Sequence, residues 1–188
     1  MRPKDKTLFQ QYCEKYHLQP HPEQEYGYFY ENFRDAPMNV DSTIYKEEVA
    51  SRTTSVYFAL TDDGKIEFNQ VKDSTKYYQY CDGSAQHVYI LDEKKNSRTD
   101  YILGNPSLHG WSINNIVVTN QIVILPHQWV AAELIDKESF SLMTCTVSPG
   151  FDFKRFILAD KEMLTNKFPE YQELIQQFTP AVVKGFAM

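Results

Sequence analysis

The chain has 188 residues, a net charge of −6, and 42% apolar and 14% aromatic residues. That apolar share excludes global disorder, and the acidic balance excludes the basic face that nucleic-acid phosphates require. No apolar run approaches the ~20 residues of a membrane-spanning helix, and five His with three Cys leave little material for metal or thiol chemistry.

Met1 to Lys6 lead into no apolar stretch, so no signal peptide is expected. Leu8, Phe9, Tyr12, Cys13 and Tyr16 share one face of a helix over residues 5–17, which Pro20 and Pro22 stop. Tyr26–Tyr30 then opens a series of short strands. Ser55–Thr61 and Lys65–Val71 flank Asp63-Gly64, and Tyr77–Tyr80 and Gln86–Leu91 flank Asp82-Gly83, both hairpin signals. Glu93–Asp100 is charged and reads as a loop or a long hairpin tip. Ile113–Val118 and Gln121–Leu125 flank the two-residue turn candidate Thr119-Asn120. Trp129–Ile135, Phe140–Val147 and Phe151–Leu158 complete the set.

Many short strands with no helix between them predict an all-β sandwich or barrel. The chain ends in helices over about 160–178, with Asp160 as a cap, Pro169 in a first turn, and Tyr171, Leu174, Ile175 and Phe178 as the apolar stripe. The expectation is one domain over 1–188, with a barrel core at about 26–158 and the helices packed outside. Cys13, Cys81 and Cys145 suit reduced thiols and a cytoplasmic location.

Phosphate-binding glycine loops, nucleophile elbows and paired metal-ligand motifs are all missing. Pro20 breaks the spacing of His17 and His21. His87 and His109 are scattered. His127 follows Pro126 at the mouth of a strand and is the His of most interest.

Three segments together resemble one family. Pro20-His21-Pro22-Glu23, with Gly27-Tyr28-Phe29 and Glu31, is close to a "PHPEGGYFRE" opening. Thr53–Thr61 resembles a "STAIYFLLT" strand. Cys145-Thr146-Val147-Ser148-Pro149-Gly150-Phe151-Asp152-Phe153, with Phe156, Leu158 and Ala159, is similar to a "CTVAPGFDF…F-x-L-A" ending. These are features of a small branch of the cupin superfamily, related in shape to sugar-nucleotide epimerases. The resemblance implies a double-stranded β-helix (a jelly roll) with a central pocket, and a homodimer.

Cupins often hold a divalent metal with His and Glu side chains. Against the branch motif "FHRLKSDEIWHFYAG", this sequence has Asn69 at a ligand His and Thr75 at a ligand Glu. Against "P-x-G-V-W-Q-A" it has Ala131. Amide and hydroxyl groups are weak ligands for transition metals, so no metal and no cofactor are expected. If Asn69 and Thr75 keep the family's inward direction, alternation brings in Val71, Tyr77 and Gln79, and Ala131 brings in Trp129 and Glu133. Tyr57 joins from a neighbouring strand. The expected ligand-binding set is Tyr57, Asn69, Thr75, Gln79 and Trp129, around a sugar or a nucleotide-sugar-like compound. The alternatives are a metal-independent isomerase or epimerase using His127, Glu133 and Tyr77, or a structural dimer with a filled barrel. Glu31, Arg34 and Asp152 read either as structural or as pocket residues.

Overall fold

The computed structural model describes residues 1–22, 27–40 and 48–179. Helix α1 (Pro3–Tyr16) carries Pro3 in its first turn, where a missing N–H costs nothing. It ends at His17, whose left-handed φ of 57° turns the chain away. A short strand β1 (Gln19–Pro20) precedes β2 (Gly27–Arg34) and the small hairpin of β3 (Pro37–Val40) and β4 (Glu48–Ser51). Then come β5 (Thr54–Thr61), β6 (Lys65–Val71), β7 (Thr75–Gly83), β8 (Gln86–Asp92) and β9 (Ser97–Leu103) with no helix between them. After the single turn α2 (Pro106–His109) follow β10 (Ser112–Ile113), β11 (Ile116–Thr119), β12 (Gln121–Ile124), β13 (Gln128–Leu134), β14 (Phe140–Ser148) and β15 (Phe156–Leu158). The chain closes on α3 (Lys161–Lys167), capped by Asp160 Oδ1 on the Met163 N–H, and α4 (Gln172–Gln177).

The strands form two facing sheets in the orders β1-β2-β5-β14-β7-β12 and β10-β11-β9-β8-β13-β6-β15. Most neighbours in a sheet are distant in sequence, so the chain passes repeatedly between sheets. This is the all-β jelly roll with helices outside that the strand pattern predicts.

Three turns behave differently from the expectation. Asp63-Gly64, Asp82-Gly83 and Thr119-Asn120 read as hairpin turns, yet each carries the chain from one sheet to the other. A tight turn reverses the chain but does not choose its partner. Burying both apolar faces chooses it. Glu93–Asp100, by contrast, contains the tip of a true hairpin, with β8 and β9 paired from Gln86↔Leu103 to Asp92↔Ser97. Tyr26 lies outside the described residues.

Burial occurs in three layers. Between the sheets lie Phe58, Leu60, Ile66, Tyr78, Ile90, Val130 and Met143. Phe9 of α1 packs on Ala59, Phe140 and Leu142 on the outside of one sheet. Leu164, Phe168, Ile175 and Phe178 pack on Phe68, Tyr89, Trp129 and Ala131 on the outside of the other. Both sheets are therefore covered outside, which is why β5 and β13 read as near-continuous apolar runs.

Two irregularities shape the interior wall. Between Ala132↔Ile66 and Val130↔Asn69, the residues Glu67 and Phe68 of β6 oppose one residue of β13. Between Glu31↔Val56 and Phe33↔Ser55, Asn32 is the extra residue in β2. Each is a β-bulge, which resets the inward and outward alternation after it.

Candidate functional site

A cavity of about 320 Å³ opens between the sheets, walled by β2, β5, β7 and β14 on one side and β6 on the other. The bulge in β6 puts both Ile66 and Asn69 on its inner face. Plain alternation from Ile66 would have turned Asn69 outward. The bulge in β2 does the same for Arg34, which joins Glu31 at the mouth.

In its wall lies Lys76, which is 3% exposed. Its Nζ donates to Asn69 Oδ1 at 2.7 Å. The Asn69 amide is itself fixed, because Nδ2 donates to the Glu67 carbonyl at 2.8 Å and the Val130 carbonyl at 3.3 Å. Among the described residues, no carboxylate pairs with Lys76. Burial pushes its amine down to about 8, against an opposing pull from Cys145. Burial pushes the Cys145 thiol up to about 11 and holds the Tyr78 hydroxyl well above its ordinary value, so both keep their protons at neutral pH. The rest of the wall is mainly apolar, with Phe29, Val56, Phe58 and Met143.

The mouth is tied down. Arg34 grips Glu31 with two bonds, Nε to Oε1 at 2.8 Å and Nη2 to Oε2 at 2.6 Å. Its Nη1 reaches the Phe151 carbonyl at 3.3 Å. Gly150 must be glycine, since a Cβ there would lie 2.7 Å from the Ser51 Cβ. Asp152 borders the cavity, and its Oδ1 accepts the Lys154 N–H at 2.9 Å, capping the turn at Phe153–Arg155. Both of its expected readings therefore apply at one residue.

Of the residues expected in the pocket, Asn69 and Val71 line it and the others do not. Lys76 and Tyr78 are the inward residues of β7, so Thr75, Tyr77 and Gln79 have the opposite phase. The Lys72–Ser74 turn joins strands of different sheets, so the phase of Asn69 does not carry over to Thr75. In β13 the inward residues are Val130 and Ala132. Trp129 points the other way, under the C-terminal helices, with Nε1 donating to Glu93 Oε1 at 2.8 Å. Tyr57 stacks on Tyr16 of α1, ring centres 4.3 Å apart.

The three residues expected for catalysis do not meet. His127 Nε2 lies 3.5 Å from Asp92 Oδ2. Glu133 accepts from the Tyr89 hydroxyl at 2.9 Å and from Lys137 Nζ at 2.8 Å, on the outer face. Tyr77 is exposed. None of them lines the cavity.

The metal that the cupin resemblance implies does not fit these residues. Among the described residues, no group of three His, Cys, Asp or Glu side chains is close enough to hold an ion. The polar centre of the cavity is an amide and an amine, and a protonated amine repels a divalent cation.

Residues 10–159 match the family described as Cupin superfamily (DUF985). A hypothetical protein from Leishmania major superposes with a TM-score of 0.73 at 21% identity, over 90% of this chain and 97% of that one. A protein from Shewanella oneidensis gives 0.71 at 19% identity, over 90% and 96%. The capsular polysaccharide assembling protein CapF from Staphylococcus aureus gives 0.51 at 7% identity, over 76% of this chain and 31% of that one. At these identities the likeness is one of fold. No curated protein matches the sequence closely enough to count as a relative.

Proposed function

The chain belongs to the cupin superfamily, in the family DUF985, and from that premise we propose that it binds a small molecule in the cavity around Lys76 and Asn69. The observation that carries this reading is an open volume of about 320 Å³ between two sheets that each pack a helix against part of their outer face. Its size and its mostly apolar wall with a few converging polar groups are those of a ligand site. A compound with one apolar or ring face against Phe29, Val56 and Phe58 and one polar end at Lys76 and Asn69 suits it, such as a sugar or the sugar part of a nucleotide sugar. Binding is favoured over epimerisation, because His127, Glu133 and Tyr77 are dispersed and none borders the cavity.

A thermal-shift and calorimetric screen of sugars, nucleotide sugars and short organic acids tests this. A ligand at one hundred times its Kd adds about 2.7 kcal/mol to stability. Lys76→Met should abolish or greatly weaken the effect. The reading fails if no compound stabilises the protein, or if Lys76→Met leaves the binding of every hit intact.

A further inference from the structure

A buried lysine in the wall of an apolar cavity is unusual, because ammonium groups are among the groups least often buried without a counter-ion. The Lys76 amine donates to the neutral Asn69 Oδ1 at 2.7 Å and lies 5.9 Å from the Tyr78 ring centre. The other titratable or charged groups bordering the cavity are Cys145 in the wall and His21, Glu31, Arg34 and Asp152 towards the mouth. Glu31 is engaged with Arg34, and Asp152 with the Lys154 backbone. Among the described residues, none of these supplies a negative charge to the amine.

We propose that Lys76 forms an imine with a small aldehyde or ketone held in this cavity. The inference rests on the cavity being a ligand site, and it names the chemical class that site would take. Lysines that react in this way are those a desolvated pocket keeps partly neutral.

The step balances without any co-reactant. The neutral Nζ adds through its lone pair to the carbonyl carbon, and the C=O π pair moves to the oxygen. One amine hydrogen passes to that oxygen, giving a carbinolamine. The C–O bond then breaks, the second amine hydrogen leaves with the hydroxyl as water, and the nitrogen pair closes the C=N bond. Nothing is oxidised or reduced. Tyr78 and Cys145 stay protonated beside the amine, so neither leaves a buried anion to hold it as ammonium.

The test treats the full chain with butanal and, separately, with pyruvate, each followed by sodium borohydride. The modified lysines are then located by peptide mass spectrometry. Near neutral pH the free-amine fraction of Lys76 exceeds that of a surface lysine by on the order of a hundredfold. The reduced adduct should therefore sit on Lys76 first, with labelling half-maximal near pH 8. Mapping on the unaltered protein does not depend on any variant folding. Lys76→Met should lose the adduct and keep the fold. Adducts on surface lysines with Lys76 untouched would overturn the inference, as would a Lys76 profile that rises only with the surface lysines. If the sugar and organic-acid screen yields cavity ligands while Lys76 stays unmodified, imine formation alone fails. If the screen also yields none, the ligand-site reading falls with it.

Discussion

The cavity and the outer face of β8 and β13 both concentrate polar side chains, but they treat charge in opposite ways. On the outer face the charges are matched. Tyr89 donates to Glu133 and lies 3.1 Å from His87 Nδ1, His87 Nε2 lies 3.0 Å from Asp100 Oδ2, and Arg98 Nε donates to Asp100 Oδ1 at 2.6 Å. Lys137 closes the other end on Glu133. In the cavity, the buried cation meets a neutral amide. A matched network holds structure in place. An unmatched buried cation weakens the fold, and is kept where it meets something from outside.

The largest test separates the covering from the cavity. Phe178 is fully buried against Phe68 and Tyr89 on the outer face. Phe178→Ala should cost about 3–5 kcal/mol by urea titration, with ligand affinity at the cavity unchanged. An equal loss of affinity would show that the two faces are not independent.

Lys76→Met comes next, and its sign is opposite. The unfolded amine titrates near 10.5 and the folded one near 8. The unfolded chain therefore binds more protons between these values, and stability rises with pH across that window. Below it the buried ammonium costs about 3 kcal/mol. Set against the orphaned Asn69 carbonyl, Met should gain about 1–2 kcal/mol at neutral pH, and the gain should vanish above the window. Denaturant titrations at pH 7 and pH 10.5 check this.

Asp100 tests the matched side. Burial would raise its carboxyl, but the bonds from His87 and Arg98 outweigh that and hold it at about 2. Its contribution is present above the ordinary carboxylate range and lost as pH falls through about 2. Allowing for solvent screening, Asp100→Asn should cost about 1–2 kcal/mol at neutral pH, and the difference from wild type should shrink in acid melts.

The smallest effect is expected at the mouth. Arg34 is half-exposed, so Arg34→Ala should change stability by less than about 1 kcal/mol. It should nevertheless speed ligand exchange, because the Glu31–Arg34–Phe151 tie is broken. Stopped-flow binding would measure this.

The outer helices and the positions of most strands were legible from the sequence because each rests on a local period. Some limits were not: Phe151–Leu158 is strand only over Phe156–Leu158, after a turn at Phe153–Arg155, and Ile113–Val118 is divided between β10 and β11. Lys65–Val71 has its expected limits, and Phe178 ends a stripe that packs as its spacing requires. Sheet partners were not legible, since Asp63-Gly64 says where the chain turns and not what it meets. The site was legible at Asn69 through the family motif. Lys76 was missed because Tyr77, Tyr78 and Tyr80 place aromatics on both phases of β7, so alternation there carries no signal. One signal did exist in Met143-Thr144-Cys145-Thr146-Val147, whose alternation marks Cys145 as inward.

The bulge at Glu67 and Phe68 has a consequence for how such a site changes over generations. Loss of a single codon there would remove the bulge yet leave Asn69 two positions after Ile66, still on the cavity side as the acceptor for Lys76. The lineage could thus shed this irregularity by one small deletion, while the pocket kept its amide and every other strand kept its partners.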